Sequence, residues 1–566
     1  MAQLTTAAGE ALSGTPWTGY PRPQLKRDHY VNLNGTWDFT VTRSPELPEA
    51  YDRQILVPFC PESRLSGIGR HFPEGSSLFY RRTFSLPPEA KGRVLLHIGA
   101  ADQIADIYVN RFEVGSHAGG YEAFCFDITD ALKGENELVI RVTDDLTTHI
   151  FPYGKQVARR GGMWYTPVSG IWQTVWLEWV PENYVNSLDI QVSLTQAVIT
   201  LSPALTGTVT CQGVDYPLMD GKAVITPENP RPWSPEDPYL YDFTVTAGED
   251  TFRSYFALRT LEIKAVKGKQ RLCLNGKPYF FHGLLDQGYW PDGLFTPAAP
   301  ECYAWDIQAM KDLGFNTLRK HIKVEPAQFY YDCDRLGMIV FQDMVNNGDY
   351  NFLRDTAMPT FLTQHRDDRQ LHRDPAAREA FLRGMEATVK QLKNHPCVCY
   401  WTIFNEGWGQ FASTAAYRKL KALDSSRFID STSGWFRGGE TDVESLHIYF
   451  GFWHRLKPSQ KPIVLSEFGG FTYSAPGHIF NPDKSYGYGT CKTTAQLDAR
   501  LEETYLQRVL PAIGKGLCGS IYTQVSDVED EINGMVTYDR KIIKPSAAVM
   551  QGIAARLREA FEEAAL

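Results

Sequence analysis

The sequence predicts a multidomain protein in which two all-β domains precede a C-terminal (β/α)8 barrel. A chain of 566 residues corresponds to three or four domains at roughly 150 residues each. Short strand-like runs fill the first part of the chain, whereas strand-like and helical runs alternate after Ala265. The first pattern is typical of β-sandwiches, and the second is typical of a parallel sheet built from βα units.

The composition is that of an ordinary globular protein. Hydrophobic residues make up 43% and charged residues 22% of the chain. No apolar run approaches the roughly 18 residues that span a bilayer, and the N-terminus lacks a basic region followed by an apolar stretch. We therefore expect a cytoplasmic protein without a membrane partner. The net charge of -9 argues against a nucleic-acid partner, which favours a basic face.

Motifs for common cofactors are missing from the sequence. The ten cysteines include no C-x-x-C pair, so zinc binding and thiol redox chemistry have no support. Gly67, Gly69 and Gly75 do not form the G-x-G-x-x-G fingerprint of a dinucleotide-binding loop. The sequence thus predicts no cofactor.

The two expected β-domains are residues 1–182 and 183–263. The first contains the strand-like runs LFYRRTFSL, RVLLHIG, ADIYVN, FCFDIT and ELVIRV, and ends in the tryptophan-rich run MWYTPVSGIWQTVWLEWV. The second contains LDIQVSL, AVITL and LYDFTVTA. Its length of about 80 residues suits a small immunoglobulin-like β-sandwich.

The expected barrel occupies residues 264–566. Its eight predicted strands are YFFHGLL, NTLRK, MIVFQD, VCYWTIFNE, RFIDSTS, SLHIYF, PIVLSEFG and GSIYTQVSD. Helical patterns separate most of them, but RGGETDVE, between the fifth and sixth strands, lacks one. The active site of such a barrel lies at the C-terminal ends of the strands.

Two carboxylates stand at those ends. Glu406 ends the fourth strand in WTIFNEGWG, and Glu467 ends the seventh in IVLSEFGG. A lone glutamate at a strand end more often forms a salt bridge or a helix cap, but two of them facing one pocket reverse that expectation. A pair of acids about 5 to 5.5 Å apart cleaves glycosidic bonds with retention of configuration. Asn405 is placed to bind the sugar hydroxyl next to the reacting carbon.

These residues resemble glycoside hydrolase family 2, which contains β-galactosidases, β-glucuronidases and β-mannosidases. The similarity covers nearly the whole chain, through YPRPQLKRDHYVNLNGTWDF, VPFCPESRLSG, IYVNRFEVGSHAGGYEAFCFDIT, SGIWQTVWLE, NEG and SEFG. It implies that residues 1–182 form a jelly-roll sugar-binding domain. It also implies that Glu406 is the general acid/base and Glu467 the nucleophile of an exo-acting retaining enzyme. The acidic residues that hold magnesium in the large β-galactosidases of the family are not clearly reproduced, because the third strand ends in QDMVN, so no metal is expected.

The resemblance extends to further residues of the pocket. Tyr449 is similar to the family tyrosine that hydrogen-bonds the nucleophile, and Arg319 matches an arginine near it. His321 lies one position earlier than the histidine of the family pattern R-x-S-H, so substrate contact and pairing with a carboxylate both stay open. Trp408 is expected to stack on a sugar. The remaining residues expected to line the pocket are Asp286, Gln287, Trp290, Asp343 and His447.

The sequence favours a neutral sugar. Members that bind a hexuronic acid carry an Asn-x-Lys pair after the eighth strand, but here Asn533 is followed by Gly534 and Met535. Lys320 or Lys323 could supply the missing cation from another strand. We expect a terminal β-galactoside first, with β-mannoside, β-arabinoside or another pentoside behind it, and β-glucuronide as an alternative within the family.

Alternatives from other classes stay open as well. A transglycosidase would use the same two acids and differ only in excluding water from the second step. A carbohydrate-binding protein without activity would not need both glutamates. The partner expected is a small carbohydrate, and the sequence leaves a homo-oligomer open.

Overall fold

The computed structural model describes residues 4–358, 367–369, 371–436, 438–449 and 451–565. Two predicted features reach beyond these ranges. Phe450 at the end of the predicted sixth strand and Arg437 at the start of RGGETDVE lie outside the described residues.

The first sandwich follows a short helix, α1 (Ala7–Ala11), and consists of two main sheets. Their orders are β1-β12-β5-β9 and β3-β2-β4-β10-β7-β8, and β11 pairs with β6. Apolar side chains of both sheets meet in one core, because alternate residues of each strand point inward. Strands β1 to β12 span Tyr30–Asn32, Gly35–Thr42, Arg53–Val57, Ser77–Phe84, Arg93–Ile98, Ala101–Asp102, Ile104–Val109, Phe112–Ala118, Phe124–Asp127, Asn136–Thr143, Gly170–Ile171 and Val175–Val180.

The second sandwich packs a three-stranded sheet, β13-β14-β17, against a four-stranded sheet, β16-β15-β18-β19. In β18 the residues alternate between buried and more exposed positions, as a sheet with one solvated face requires. Strands β13 to β19 span Ser187–Val192, Ala197–Ser202, Gly207–Cys211, Val214–Leu218, Lys222–Ile225, Tyr241–Ala247 and Asp250–Phe256.

A small antiparallel sheet links the second sandwich to the barrel. It contains β20 (Leu261–Val266), β21 (Lys269–Leu274) and β22 (Lys277–Pro278). Strand β20 runs across the predicted boundary at residues 263 and 264. The division of the chain after residues 182 and 263 stays a prediction.

All eight predicted barrel strands are present, and each is parallel to its neighbours in the order β27-β26-β25-β24-β23-β32-β29-β28. The predicted fold class is confirmed. Strands β23 to β29 span Phe281–Asp286, Thr317–Lys320, Ile339–Asp343, Val398–Asn405, Phe428–Ser433, Glu444–Ile448 and Ile463–Gly469. The short pair β30 and β31 spans Thr472–Tyr473 and Thr490–Cys491, and β32 spans Leu517–Thr523.

Helices cover the outside of the barrel. A π-helical turn, Tyr505–Val509, joins α6 directly to α7. The helix α4 begins after Asp374, whose carboxylate accepts hydrogen bonds from the backbone of Ala376 and Ala377. Helices α2 to α8 span Glu301–Asp312, Ala327–Leu336, Pro375–Leu392, Ser413–Leu423, Thr494–Thr504, Leu510–Ile513 and Ala547–Ala565.

The barrel closes at a seam between its end strands β27 and β28. The backbone N–H of Asp442 donates to the carbonyl of Ile429 at 2.9 Å. The hydroxyl of Ser433 lies 3.3 Å from that of Ser445 and 2.9 Å from Nε2 of His447. Among the described residues no helix separates these two strands, as expected for RGGETDVE.

A loop of the first sandwich reaches over the C-terminal ends of the barrel strands. The backbone N–H of Tyr153 donates to the carbonyl of Asn346 at 3.0 Å, beyond the third strand. That of Thr166 donates to the carboxylate of Glu529 at 3.1 Å, beyond the eighth. Residues 153–166, which include both contacts, form the bridging loop.

Within the described part of the chain, none of the helices combines the length and the apolar character needed to cross a bilayer.

Candidate active site

Glu406 leaves the fourth barrel strand through a sharp turn. Its backbone adopts a left-handed conformation with φ of +50°, and Gly407 follows with φ of +76°. A side chain at position 407 would meet the ring of Phe436 at 2.2 Å, so only glycine fits there. The turn holds Glu406 in an uncommon backbone conformation at the mouth of the barrel.

Glu406 and Glu467 converge at the C-terminal end of the barrel. A carboxylate oxygen of each, together with a ring nitrogen of His447, lie within 4.8 Å of one another. The Nδ1 atom of His447 is 2.8 Å from Oε1 of Glu406 and 3.5 Å from Oε2 of Glu467. The two acids are therefore close enough to act on one sugar ring.

Arg319, at the end of the second strand, holds three surrounding groups. Its Nη1 donates to Oε1 of Glu467 at 2.9 Å, and its Nη2 donates to Oδ1 of Asn405 at 2.8 Å. Its Nε donates to Oδ1 of Asp343 at 2.9 Å. Because these bonds leave the planar guanidinium no freedom, Arg319 fixes the positions of Glu467 and Asn405.

Glu467 is ionised at neutral pH. Burial by itself would raise its pKa, but the neighbouring His447 and Arg319 outweigh burial and bring the pKa to about 2. The hydroxyl of Tyr449 also donates to Oε2 of Glu467 at 2.6 Å. A buried, ionised carboxylate with fixed orientation is suited to attack an electrophilic carbon.

His321 is held from behind by Asp343. Its Nδ1 lies 2.7 Å from Oδ2 of Asp343. Burial lowers the pKa of His321 to about 4, and the positive charge of Lys155 acts in the same direction. The imidazole is therefore neutral at pH 7, with Nδ1–H donating to Asp343 and Nε2 left as an acceptor.

Both glutamates line one pocket at the C-terminal end of the barrel. Three hydrogen-bond donors in its wall have no partner among the described residues: Nδ2 of Asn405, Nε2 of Gln287 and Nε1 of Trp408. Buried donors without partners suit a ligand that is rich in acceptor oxygens. The wall consists of Lys155, Met163, Leu285, Gln287, His321, Asn405, Glu406, Trp408, Tyr449, Glu467, Tyr488, Thr523 and Glu531.

Comparison with known families identifies the chain. The family model described as "Glycosyl hydrolases family 2, TIM barrel domain" matches residues 264–557, more than half of the chain. The chain belongs to glycosyl hydrolase family 2. Further models of the family match residues 72–156, described as galactose-binding domain-like, and residues 185–259. The resemblance noted in the sequence is thereby confirmed.

Relatives within family 2 carry different names. The chain is 26% identical to a β-galactosidase of Thermoanaerobacter pseudethanolicus, over 88% of this chain and 67% of the relative. It is 25% identical to a β-glucuronidase of Bacteroides fragilis, over 66% of this chain and 56% of the relative. It thus spans little more than half the length of the second relative.

Among solved structures, a β-D-glucuronidase of Dictyoglomus thermophilum has the same fold. Its TM-score is 0.72 at 19% sequence identity, with 95% of this chain and 98% of that chain covered. The three-domain architecture is therefore shared along nearly the full length of both chains.

The structure of this family 2 member brings most of the predicted site residues together. Glu406, Glu467, Asn405, His321, Gln287, Trp408 and Tyr449 all line the pocket. Arg319 and His447 lie behind the wall, in contact with the glutamates. Trp408 is only 2% exposed, and the ring of Trp164 packs over it at 5.2 Å between centroids.

Four residues that the sequence predicts to line the pocket are not among the residues of its wall, and each contacts another protein side chain, so their contact with a substrate stays a prediction. Asp286 pairs with Lys320 at 2.6 Å, and Asp343 is occupied by Arg319 and His321. Trp290 packs beneath Arg540, whose guanidinium lies 3.9 Å from the ring centroid. His447 sits between the glutamates, one layer below the surface of the pocket.

Lys320 and Lys323 do not supply a cation to the pocket. Lys320 is bound by Asp286 and Glu325, at 2.6 and 2.8 Å. Lys323 pairs with Glu325 at 2.9 Å and donates to the carbonyl of Phe295 at 2.8 Å. Both ammonium groups are therefore already bound by carboxylate or carbonyl oxygens of the protein.

Several residues of the pocket wall were missed by sequence reasoning. Lys155 and Met163 come from the bridging loop, far from the barrel in sequence. Glu531 lies in the same segment as Asn533, whose Nδ2 donates to Oε1 of Glu531 at 3.1 Å. Glu531 could have been found from the sequence, because it lies in the stretch DEINGMVTYDRK, which follows the eighth strand. The remaining missed residues are Leu285, Tyr488 and Thr523.

A cation could be held by Glu406, His447 and Glu467, whose ligand atoms lie within 4.8 Å of one another. However, Arg319 already donates to Glu467 at 2.9 Å and places a positive charge there. The arrangement is better suited to proton transfer and nucleophilic attack than to binding a divalent ion.

Proposed function

We propose that the chain is a retaining, exo-acting β-glycosidase that works through a covalent glycosyl-enzyme intermediate. The observation that carries this proposal is the approach of Glu406 and Glu467, with carboxylate oxygens within 4.8 Å. Retaining glycosidases hold their two carboxyl groups about 5 to 5.5 Å apart, whereas inverting enzymes need more room for water.

The two glutamates have different roles in this mechanism. Glu467 attacks the anomeric carbon while Glu406 protonates the departing oxygen, which gives a glycosyl ester on Glu467. Water then opens the ester, with Glu406 acting as the base. The ionisation of Glu467, with its pKa lowered to about 2 despite burial, supports its role as the nucleophile.

Asn405 contributes to the transition state through its free amide nitrogen. Its Oδ1 is fixed by Arg319 at 2.8 Å, so Nδ2, which lacks a protein partner among the described residues, is directed to the ligand. A hydrogen bond from this group to the 2-hydroxyl of the sugar strengthens as positive charge develops on the ring.

A neutral sugar, with β-galactoside first, fits the acceptor groups of the pocket. Glu531 lines the wall, and its oxygens accept hydrogen bonds from Tyr165 and Asn533. Asn533 is also bound by Gln524 at 2.8 Å. A carboxylate at this position accepts hydrogen bonds from sugar hydroxyls and repels a second carboxylate. β-Mannoside and β-arabinoside follow as further neutral candidates.

A β-glucuronide is the second candidate. Lys155 favours it, because this cation lines the pocket and, among the described residues, its ammonium contacts only the rings of Tyr165 and Trp408. A relative named β-glucuronidase and a solved β-D-glucuronidase with the same fold point in the same direction. Transglycosylation by the same two acids is a third outcome that product analysis with an alcohol acceptor separates from hydrolysis.

A panel of aryl β-glycosides tests the proposal. Wild type is expected to hydrolyse at least one of the β-galactoside, β-mannoside, β-arabinoside and β-glucuronide, and Glu467→Ala is expected to be inactive. Azide should restore turnover of Glu467→Ala with inverted product, and of Glu406→Ala with retained configuration. Glu89→Ala, at an exposed carboxylate of the first sandwich, is the matched control. Hydrolysis of no glycoside by the folded protein refutes the proposal.

A further inference from the structure

Lys155 is a buried cation that the first sandwich delivers to the barrel. It lies in the bridging loop, is 7% exposed, and lines the same pocket as the two glutamates. Its Nζ lies 5.8 Å from the ring centroid of Trp408 and 5.6 Å from that of Tyr165. The ammonium thus lies near the faces of two aromatic rings, whose cation–π attraction helps to fix its position.

The ammonium of Lys155 is not used by the protein. Across the described ranges, no hydrogen bond or ion pair joins it to another residue, whereas Lys320, Lys323 and Lys544 are each paired with a carboxylate. A buried ammonium without a hydrogen-bonded partner is costly, because its N–H donors have lost water and gained no acceptor in exchange. The ammonium of Lys155 is therefore available to a ligand that enters the pocket.

His321 is the neighbour that decides the chemistry of this ligand. The ring of His321 lies 6.5 Å from the ring of Trp408 between centroids, and the ammonium of Lys155 faces the same tryptophan. The positive charge of Lys155 lowers the pKa of His321. Asp343 binds Nδ1 of His321 at 2.7 Å. Since Nδ1 carries the proton, Nε2 is left as an acceptor, and both His321 and Lys155 line the pocket.

A donor and an acceptor that line the same pocket can together match one hydroxyl group of a ligand. The oxygen of a hydroxyl accepts from Lys155 while its proton is donated to Nε2 of His321. A carboxylate satisfies only the lysine, because its oxygens carry no proton for the histidine. Glu406, Glu467 and Glu531 in the same wall would also repel it.

We propose that Lys155 and His321 together bind one hydroxyl group of the sugar and that this pair determines which sugar the enzyme accepts. The proposal rests on the glycosidase function proposed above and narrows it to neutral sugars. It also makes a residue of the first sandwich part of the sugar pocket.

Deoxy sugars test the pairing directly. The kcat/KM of wild type and Lys155→Met is measured with the best neutral aryl β-glycoside of the panel and with its 3-, 4- and 6-deoxy analogues. Lys155→Met should lower kcat/KM for the parent about 10- to 100-fold. With wild type, one deoxy analogue should have a kcat/KM lower than that of the parent by a similar factor. Lys155→Met should lower kcat/KM for that analogue no further, because the hydroxyl that Lys155 binds is already missing.

Controls separate recognition from folding. Lys155→Arg keeps the charge and should retain more activity than Lys155→Met, and Lys91→Met changes an exposed lysine of the same sandwich. Unchanged unfolding temperatures show that the variants fold. His321→Leu should lose the same deoxy discrimination, since it removes the acceptor of the pair.

The outcomes are distinct. The proposal is overturned if Lys155→Met lowers kcat/KM equally for the parent and for all deoxy analogues, or does not lower it at all. A β-glucuronide that is the best substrate and depends on Lys155 overturns it in favour of a carboxylate ligand, while leaving the glycosidase function intact. Calorimetric binding of the free neutral sugars to Glu467→Gln provides a readout without turnover. If galactose, mannose and arabinose do not bind, the proposal is also overturned. A failure of the glycosidase function itself is recognised separately, because no aryl glycoside of the panel is then hydrolysed.

Discussion

Arg319 and Glu467 form a buried ion pair in which Nη1 lies 2.9 Å from Oε1. The cation comes from the second strand of the barrel and the anion from the seventh, so the pair crosses the interior. Since the same guanidinium also binds Asn405 and Asp343, one side chain fixes the nucleophile and the group expected to bind the 2-hydroxyl.

Replacing Arg319 by Met should remove both activity and stability. Glu467 and Asp343 would keep buried charges without their partner, which costs about 3 to 5 kcal/mol when a buried pair is broken. We expect kcat to fall by a factor of about 100 or more, since the nucleophile loses a charge partner and its fixed orientation. Steady-state kinetics and thermal unfolding measure the two effects. Arg231→Met, at an exposed arginine of the second sandwich, should change neither.

Tyr449→Phe should weaken the nucleophile without unfolding the protein. The variant loses the hydroxyl that donates to Glu467 at 2.6 Å and contacts Thr523 at 2.9 Å. A hydrogen bond to a charged group contributes about 1.5 to 3 kcal/mol, so kcat should fall about 10- to 100-fold. Normal activity of the folded variant would contradict the proposed contact between Tyr449 and the nucleophile.

Glu406→Ala should separate substrates by their leaving group. A dinitrophenyl glycoside needs little protonation, so formation of the glycosyl enzyme should stay within about 10-fold of wild type in a pre-steady-state burst. An alkyl glycoside needs the acid and should lose a factor of about 100 to 10,000. Equal losses for both leaving groups would assign Glu406 a different role.

Acid should destabilise the protein partly through His321. In the folded state its pKa is lowered to about 4 from the ordinary value of 6.5. Between these values the unfolded chain binds a proton that the folded state does not, so stability rises with pH across this window and is lost as pH falls through it. The contribution amounts to about 3 kcal/mol. Urea unfolding between pH 4 and 7.5 should show a smaller pH dependence for His321→Gln than for wild type.

Chelators should leave turnover unchanged. Arg319 already neutralises Glu467, and the three potential ligand atoms at Glu406, His447 and Glu467 lie around the proposed reaction centre. Incubation with EDTA followed by assay in metal-free buffer measures this. Loss of activity that added magnesium restores would show instead that a divalent ion takes part.

The barrel could be predicted because its strands are continuous buried apolar runs that end in glycine or polar residues. Strand β26, buried along its whole length, was recognised in this way together with Glu406 at its end. The contacts of Arg319 and Tyr449 with Glu467 agree with those implied by the family resemblance. Position along a strand was enough to bring these residues together.

Orientation at a strand end could not be predicted. Neighbouring side chains of a strand point in opposite directions, so Gln287 enters the pocket while Asp286 pairs with Lys320 behind it. Lys155 gave no signal at all, because its place depends on how the bridging loop packs on the barrel. Such contacts between domains depend on tertiary packing and leave no periodic pattern in the sequence.

The bridging loop also limits how this enzyme could be rebuilt. A barrel released from residues 1–182 would retain its acids but would lose Lys155 and Met163 from the cavity wall, along with the contact from Thr166 to Glu529. Chimeras that exchange the N-terminal segment between relatives should therefore inherit part of their sugar preference from the donor of that segment, while the chemistry of bond cleavage follows the barrel.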